Sequence, residues 1–381
     1  MDGTLVTGSV LTTALFLAQT VSSADQIPEL NPKGRVYKTE GPTDYAIYPK
    51  AHGVIRAVMV FVDFPDVPAE GQETEPIANH LLGDGKAQQF FKDQSYGKMS
   101  LDVTIIAGWK RMPRPVGEYV NSKGGFSFEQ HKVYLTDACA LFPALKFSTY
   151  QMVYVVAVKT PTIRLSPAFN AHPGTGAKTA DGEVRLAVTF GNDSYKNRCT
   201  NLIHETGHLL GLPDLYRYDD QGFPVGAWDI MCDIFKGTNF LGWHRHKLGW
   251  LDGNRKEYLR SGTLRTTLTP LSSSGGVSMI VVPGDNPDHP SKVWVVEIAE
   301  PVLSPDEKLT GEGILIYSVD ATIATGQTPV VIYPKRAEDN DRRLYQAPFR
   351  VGDSFQEDSA PMTAKIERKT SKGYEVVLTR K

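Results

Sequence analysis

The stretch 201–216 constrains this chain more than any other, because it reads Asn-Leu-Ile-His-Glu-Thr-Gly-His-Leu-Leu-Gly-Leu-Pro-Asp-Leu-Tyr. It contains the pattern H-E-x-x-H, in which His204 and His208 are four residues apart. On a helix, residues i and i+4 share one face and lie about 6 Å apart along the axis, so both imidazoles can reach one metal ion. Glu205 is turned about 100° from His204 and can approach that ion without ligating it.

The residues around the motif indicate that its helix is buried. Leu202, Ile203, Leu209 and Leu210 flank the two histidines. Histidines and a glutamate on a buried helix cost free energy unless a partner satisfies them. Imidazoles that are merely solvated or hydrogen-bonded are the alternative, and the apolar flanks argue against it. The pattern therefore predicts one Zn²⁺ ion.

A catalytic zinc site needs a third protein ligand and an open position. Gly211 can end the helix in a left-handed conformation, and Pro213 prevents the helix from continuing. The turn can bring Asp214 back towards the metal, although Asp214 could instead close the turn or bind calcium. No glutamate lies between residues 205 and 257, so a glutamate from a later helix is nearly excluded. The rival ligands are Asp219, Asp220, Asp229 and Asp233.

Other metal-binding residue types give weaker patterns. The three cysteines, Cys139, Cys199 and Cys232, are too few for a disulfide scaffold and form no C-x-x-C motif. They could be unpaired, or one pair could form in a secreted protein. His244 and His246 face apart on a helix, so they do not predict a second metal site. A calcium ion could bind as well, but the sequence specifies no site for it.

Composition and the first residues bound the class of protein. Lys and Arg number 41 and Asp and Glu number 43, so basic residues are not in excess. The charge balance therefore argues against a nucleic-acid partner.

Residues 10–21 form an apolar run that is too short to span a bilayer and that suits a signal peptide. We therefore expect a signal peptide over residues 1–24, secretion to the extracellular space, and no integral membrane segment after cleavage.

The remaining chain divides into three parts. Residues 25–50 contain four prolines and predict an extended N-terminal segment. Residues 51–255 alternate strand and helix patterns and predict an α+β catalytic domain. Residues 256–381 show short, turn-bounded strands and predict an all-β, sandwich-like domain without catalytic residues. The predicted helix covers residues 76–94, and the main predicted strands cover residues 54–62, 101–106, 153–158, 264–268, 278–282, 293–298, 313–319, 329–333 and 373–378.

The segment that precedes the motif suggests where a substrate binds. Val184, Leu186, Val188 and Phe190 alternate with other residues and directly precede the predicted zinc helix. We expect this strand to form the edge of the sheet and to pair with an extended substrate through main-chain hydrogen bonds.

Motifs along the chain together resemble a known family, the immune inhibitor A family of secreted zinc metallopeptidases, which belong with the metzincins. The pattern H-E-x-x-H-x-x-G-x-x-D over residues 204–214 carries most of the resemblance, and Met231 lies where the family has its Met-turn. Asp233 departs from the tyrosine that many metzincins place two residues after that methionine. Further similar segments lie at residues 60–66, 90–101, 239–251, 293–297 and 311–317.

The resemblance implies a metzincin-like catalytic domain and a secreted zinc metalloendopeptidase that acts on protein or peptide substrates. His204, His208 and Asp214 would hold one catalytic Zn²⁺ ion. Glu205 would take a proton from the attacking water and pass it to the leaving amine. Two other functions remain open, a catalytically vestigial binding protein and a metal-dependent hydrolase of a non-peptide amide.

Overall fold

The computed structural model describes residues 26–34, 38–220, 222–303, 309–310, 312–335 and 342–381. The expected signal peptide, residues 1–24, lies outside the described residues. Across the described ranges, no helix has both the length and the apolar character that crossing a membrane requires.

A five-stranded sheet with the order β2-β1-β3-β7-β4 organises the first half of the chain. Strands β1, β2, β3 and β7 run parallel, with Val58 of β1 opposite Val153 of β3, whereas β4 runs antiparallel to β7 at the edge. Strands β5 and β6 form a separate hairpin. The strands are β1 (Gly53–Asp63), β2 (Met99–Arg111), β3 (Met152–Ala157), β4 (Ala168–Asn170), β5 (Ala177–Thr179), β6 (Gly182–Val184) and β7 (Leu186–Phe190).

Helices cover both faces of this sheet. Met59 of β1 and Leu202 of α4 belong to one buried cluster, whereas Val60 of β1 and Leu135 of α3 belong to a second cluster on the opposite face. The alternation follows from the pleat of a strand, whose successive side chains point to opposite faces. The helices are α1 (Thr74–Leu82), α2 (Lys86–Gln94), α3 (Phe128–Ala140), α4 (Ser194–Leu209) and α5 (Gly242–Lys247).

The helix predicted over residues 76–94 is two helices, α1 and α2, with a break between them. Gly83 has a φ of 61° and Gly85 a φ of 90°. Glycine is also needed at position 83 because a Cβ atom there would lie 2.8 Å from the sulfur of Cys199. The apolar stripe continues across the break, which is why periodicity alone predicted one helix.

The prediction that residues 184–190 form the edge strand of the sheet is wrong. Strand β7 lies between β3 and β4, so it is interior to the sheet, and the edge strand is β4. All five residues of β7 are buried. Alternating large apolar residues suggested a strand with one exposed face. The small residues between them, Ala187 and Thr189, are also buried, on the face of the sheet opposite Val188.

Two further sheets lie in the last part of the chain. Their orders are β15-β14-β11-β10-β8 and β16-β17-β18-β9, and a short hairpin pairs β12 with β13. Between residues 263 and 381, the described residues form strands, bridges and turns, and none of them is helical. The strands are β8 (Lys256–Tyr258), β9 (Thr263–Leu268), β10 (Met279–Pro283), β11 (Lys292–Ile298), β12 (Val302–Leu303), β13 (Leu309–Thr310), β14 (Ile314–Asp320), β15 (Val330–Ile332), β16 (Ser354–Gln356), β17 (Met362–Thr370) and β18 (Gly373–Arg380).

The five-stranded sheet that contains β11 packs on both of its faces. Val296 and Ile316 share one buried cluster with Ile366 and Leu378 of the four-stranded sheet. Val295, on the opposite face, belongs to the cluster that also contains Leu202 and Leu209 of helix α4. The predicted boundary between residues 255 and 256 coincides with the start of β8, but the hydrophobic core continues across it. The domain bounds stay a prediction.

His244 of α5 ties the N-terminal segment to the rest of the fold. Its Nε2 is 2.9 Å from Oε1 of Glu40, and its Nδ1 is 2.8 Å from Oδ2 of Asp229. The indole of Trp243 also donates to Glu40 at 3.1 Å, and the positive charge of Lys247 acts on the same carboxylate. Burial lowers the pKa of His244, but the two carboxylates outweigh this effect and raise the pKa to about 10.

We expect this pairing to make stability fall as the pH rises. The folded protein holds the His244 proton up to a pH of about 10, whereas the unfolded chain loses it near a pH of about 6.5. The stabilisation is therefore complete below pH ~6.5 and is lost as the pH rises through ~10, with a slope of about 1.4 kcal/mol per pH unit. Urea unfolding of the wild type and of His244→Gln between these pH values should differ by this slope. Parallel curves for the two proteins would contradict the assignment.

Candidate metal centre

The three predicted ligands lie together at the carboxyl end of α4. Nε2 of His204 is 3.1 Å from Oδ1 of Asp214, and Nε2 of His208 is 3.2 Å from the same oxygen. All three residues are buried, and the two imidazole rings lie 4.7 Å apart and nearly perpendicular. Ligand atoms around a tetrahedral zinc ion, each about 2.0–2.1 Å from the metal, are separated by about 3.3 Å. The spacing of these atoms therefore fits one small metal ion.

Backbone carbonyls orient both imidazoles. Nδ1 of His204 lies 3.0 Å from the carbonyl oxygen of Ile230, and Nδ1 of His208 lies 2.8 Å from that of Leu212. A carbonyl oxygen only accepts, so each Nδ1 carries the hydrogen and donates it. In the neutral imidazole the Nε2 lone pair is then directed at the shared point near Asp214, which is the arrangement of metal-bound histidines.

The turn after the helix is the one that the sequence predicts. Gly211 has a φ of 93°, a left-handed conformation that ends the helix, and Pro213 follows before the chain reverses. A Cβ atom at position 211 would lie 3.2 Å from the ring of Tyr48, so the N-terminal segment also packs closely at this point. The reversal brings Oδ1 of Asp214 within 3.2 Å of the Nε2 atoms of both histidines.

Contacts from a distant loop and from the nearby Tyr218 hold Asp214 in place. Its N–H donates to Oγ1 of Thr325 at 2.9 Å, and its carbonyl oxygen accepts from the N–H of Gly326 at 3.1 Å. The hydroxyl of Tyr218 donates to its Oδ2 at 2.5 Å. Sequence reasoning missed Thr325, because no local pattern connects two residues that are 111 positions apart.

The surroundings of Oδ1, the carboxylate oxygen of Asp214 that faces the histidines, indicate that a metal ion can bind at this position. Oδ1 is buried and faces the two Nε2 atoms at 3.1 and 3.2 Å, and no other described group donates a hydrogen bond to it. Three lone pairs that converge without a cation repel one another, so a proton or a metal ion must lie among them. Burial lowers the pKa of His204, but the Asp214 carboxylate outweighs burial and raises the pKa to about 9. When metal is absent, a proton between Asp214 and the facing imidazoles can take the place of the metal ion.

Glu205 lies beside the ligands without joining them. It is buried and lines the same cavity as the three ligands. Burial raises the pKa of Glu205 to about 8, against the lowering effect of His204. A buried carboxyl group next to the ligands is placed to accept a proton and to return it.

Met231 lies directly under the helix. A Cβ atom at Gly207 would be only 2.7 Å from the sulfur of Met231, so the methionine packs against the backbone between the two histidines. Oδ1 of Asp229 accepts the N–H of Met231 at 2.8 Å, and the carbonyl of Met231 accepts from Leu215 at 3.0 Å. This segment therefore supports the ligand helix and the turn that follows it.

Three of the rival aspartates make other contacts. Asp219 and Asp220 are exposed and lie beside Arg217, which pairs with both. Asp233, at the position where many metzincins have tyrosine, is buried, and its Oδ2 accepts from Nε of Arg343 at 2.7 Å. None of the three belongs to the group of ligand atoms near α4.

Asp229, the histidines of α5 and the cysteines also lie outside the group of ligand atoms near α4. Asp229 pairs with His244, and Nδ1 of His246 lies 3.0 Å from Nζ of Lys256, so the two histidines of α5 face different partners. Cys232 is buried and lines the cavity but is a free thiol outside the ligand group, and the other two cysteines are free as well. Within the described part of the chain, the two histidines of α4 and the aspartate of the turn form the one group suited to a metal.

A cavity of about 490 Å³ opens onto the ligands and Glu205. Residues 165–168, which lead into the edge strand β4, line this cavity together with Tyr216, Phe223 and Phe235. Lys38 also lines this cavity, although sequence reasoning placed it only in an extended lead-in. Burial lowers the pKa of Lys38, whereas the charges of Asp214 and Glu205 oppose this effect.

Comparison of the chain with protein-family models and with curated proteins gives no match. The interpretation of the site therefore depends on its own geometry, on the burial of its ligands and on the chemistry of the residues that line the cavity.

Proposed function

We propose that this chain is a zinc-dependent endopeptidase. One observation carries the proposal: the Nε2 atoms of His204 and His208 and Oδ1 of Asp214 converge in a buried site, next to Glu205, at an open cavity. Two histidines, a carboxylate and an open position form the donor set of a catalytic zinc ion. Membership of the immune inhibitor A family, the metzincin-like fold and secretion are parts of the same proposal.

Each residue of the site has a separate task. A bound zinc ion supplies a Lewis acid that polarises the scissile carbonyl and makes water more acidic. Glu205 accepts the proton of the attacking water and later delivers it to the leaving amine. Ile230 and Leu212 fix the imidazoles through their carbonyl oxygens, so the ligands need no reorganisation.

The edge strand supports a peptide as the substrate. Strand β4 pairs with β7 and with no other strand in the described sheet, and Ala168 at its start lines the cavity. An extended peptide can add to such an edge through main-chain hydrogen bonds. A small non-peptide amide would leave this edge unused, and a pure binding protein would have no need of a buried base at position 205.

Digestion of casein or gelatin tests the proposal. We expect the purified protein to cleave internal peptide bonds, to lose this activity after treatment with a chelator, and to regain it when zinc is restored. A protein that contains one zinc ion per chain but cleaves no peptide bond would contradict the endopeptidase assignment. Activity that persists after complete zinc removal would contradict the role of the metal.

A further inference from the structure

Three large apolar side chains of the cavity lining are exposed to solvent. Leu165 and Tyr218 are each 55% exposed, and Phe235 is 63% exposed. All three line the cavity that also contains Glu205 and the three ligands. Exposing such side chains to water is unfavourable, and where several of them share one cavity they commonly mark a surface that a ligand covers.

The loop that contains Phe235 is fixed by Asp233. Oδ1 of Asp233 accepts the N–H of Phe235 at 2.9 Å and the N–H of Lys236 at 3.3 Å. Its carbonyl oxygen accepts the N–H of Gly237 at 2.7 Å, and its Oδ2 accepts from Nε of Arg343 at 2.7 Å. The backbone of this loop is therefore held in place while the ring of Phe235 remains exposed.

The other two apolar side chains also lie on a fixed backbone. The N–H of Tyr218 donates to the carbonyl of Gly326 at 3.1 Å, and the Tyr218 ring packs where a Cβ atom at Gly326 would collide with it. Next to Leu165, Ser166 donates its N–H and its hydroxyl to the carboxylate of Asp193, at 3.2 and 2.6 Å. Groups that are already held in place lose little conformational freedom when a ligand covers them.

The charged groups of the cavity lining are already engaged. The amide of Asn170, oriented with its oxygen towards Lys38, accepts from Nζ at 3.0 Å, and the ammonium group also lies in the field of the carboxylates of the site. The carboxylate of Asp193 accepts hydrogen bonds from two neighbouring side chains. Glu205 and the ligands belong to the proposed reaction. The surface that remains for a side chain of the substrate is therefore mainly apolar.

We propose that Leu165, Tyr218 and Phe235 form an apolar subsite that receives a large apolar side chain, such as that of Phe or Leu, next to the scissile bond of the substrate. The proposal rests on the proposed peptidase function and adds the substrate class. The subsite is continuous with the proposed peptide site, because Leu165 lies just before the edge strand β4 and Ala168 of that strand lines the same cavity. Full burial of such a side chain should favour the peptide by about 10–100-fold over one with a small residue.

A matched set of fluorogenic peptides tests the proposal. The members differ at one of the two positions beside the cleaved bond, which carries Phe, Ala, Glu or Lys. We expect kcat/KM of the Phe peptide to exceed that of its Ala partner by at least about 10-fold at one of these positions. If Phe had no advantage over Ala at either position, or if Glu or Lys were preferred to Phe at both, the proposal would be overturned.

Variants of Phe235 connect the preference to the subsite. Phe235→Ala should lower the ratio of kcat/KM for the Phe peptide to that for the Ala peptide by about 3–10-fold, because it removes one of the three apolar groups. Phe235→Leu should retain most of the ratio. Tyr45→Ala, which removes an exposed ring outside this cavity, is the matched control and should keep the wild-type ratio. A wild-type ratio in Phe235→Ala would exclude Phe235 from the subsite.

Direct binding separates this proposal from the peptidase function. If the wild type cleaves no peptide of any composition, the proposed function fails. Calorimetric binding of the Phe and Ala peptides to the wild type and to Phe235→Ala then decides the role of the subsite independently. Tighter binding of the Phe peptide by the wild type, reduced in the variant, would support the subsite. Equal affinity for both peptides, or no binding of either, would refute it.

Discussion

Replacing Glu205 with Gln should leave zinc binding intact and lower turnover by about 10²–10⁴-fold, the usual range for loss of a general base. Glu205 lies beside the ligand group but is not part of it. Gln has nearly the same shape and remains uncharged in the buried site, so the cavity and the ligands should keep their positions. The amide cannot accept the proton of the attacking water, so the chemical step should slow while KM changes little.

Zinc content and peptidase rate, measured on the same preparations, check this expectation. Asp220→Asn is a suitable control, because Asp220 is an acidic residue that pairs with Arg217 on the surface. It should keep both the metal and the rate. If Glu205→Gln retained wild-type turnover, the proposed mechanism would be wrong even with the zinc ligands correctly assigned. If it lost the zinc instead, Glu205 would have to be reconsidered as a ligand.

The candidate site could be predicted from the sequence where its geometry is local. His204 and His208 share a face because a helix has 3.6 residues per turn, and a left-handed Gly211 ends that helix. The return of Asp214 follows within a few residues of this turn. The two histidines, the helix end and the returning aspartate all lie within about ten positions of the chain. The order of residue types in this short stretch is therefore enough to predict their arrangement.

The parts that the sequence did not predict depend on distant contacts. Thr325 and Lys38 reach the site from opposite ends of the chain, and neither lies in a motif. The position of β7 in the sheet depends on the short antiparallel strand β4, which covers only three residues, Ala168–Asn170. A three-residue strand has too few positions for a periodic pattern, so the edge of the sheet could not be assigned from the sequence.

Replacing Asp214 with Ala should lower both zinc affinity and activity. The change removes the oxygen that lies 3.1 and 3.2 Å from the two Nε2 atoms, and with it the negative charge of the ligand group. It also removes the acceptor of the Tyr218 hydroxyl. Loss of a group that only hydrogen-bonds to a metal ligand lowers metal affinity by about 10–100-fold. Loss of the ligand itself should lower the zinc affinity by at least that factor.

Two controls separate loss of the metal ligand from loss of structure. Tyr218→Phe removes the hydrogen bond to Oδ2 but leaves the ligand oxygen, so it should cost less zinc affinity than Asp214→Ala. Thermal unfolding of the metal-free proteins shows whether the Asp214 variant still folds. Because metal-free His204 is paired with Asp214, the variant should also lower the pKa of His204, which NMR titration of the metal-free protein can follow. If Asp214→Ala kept full zinc content and full activity, the third ligand would lie elsewhere, and the metzincin-like assignment would have to be abandoned.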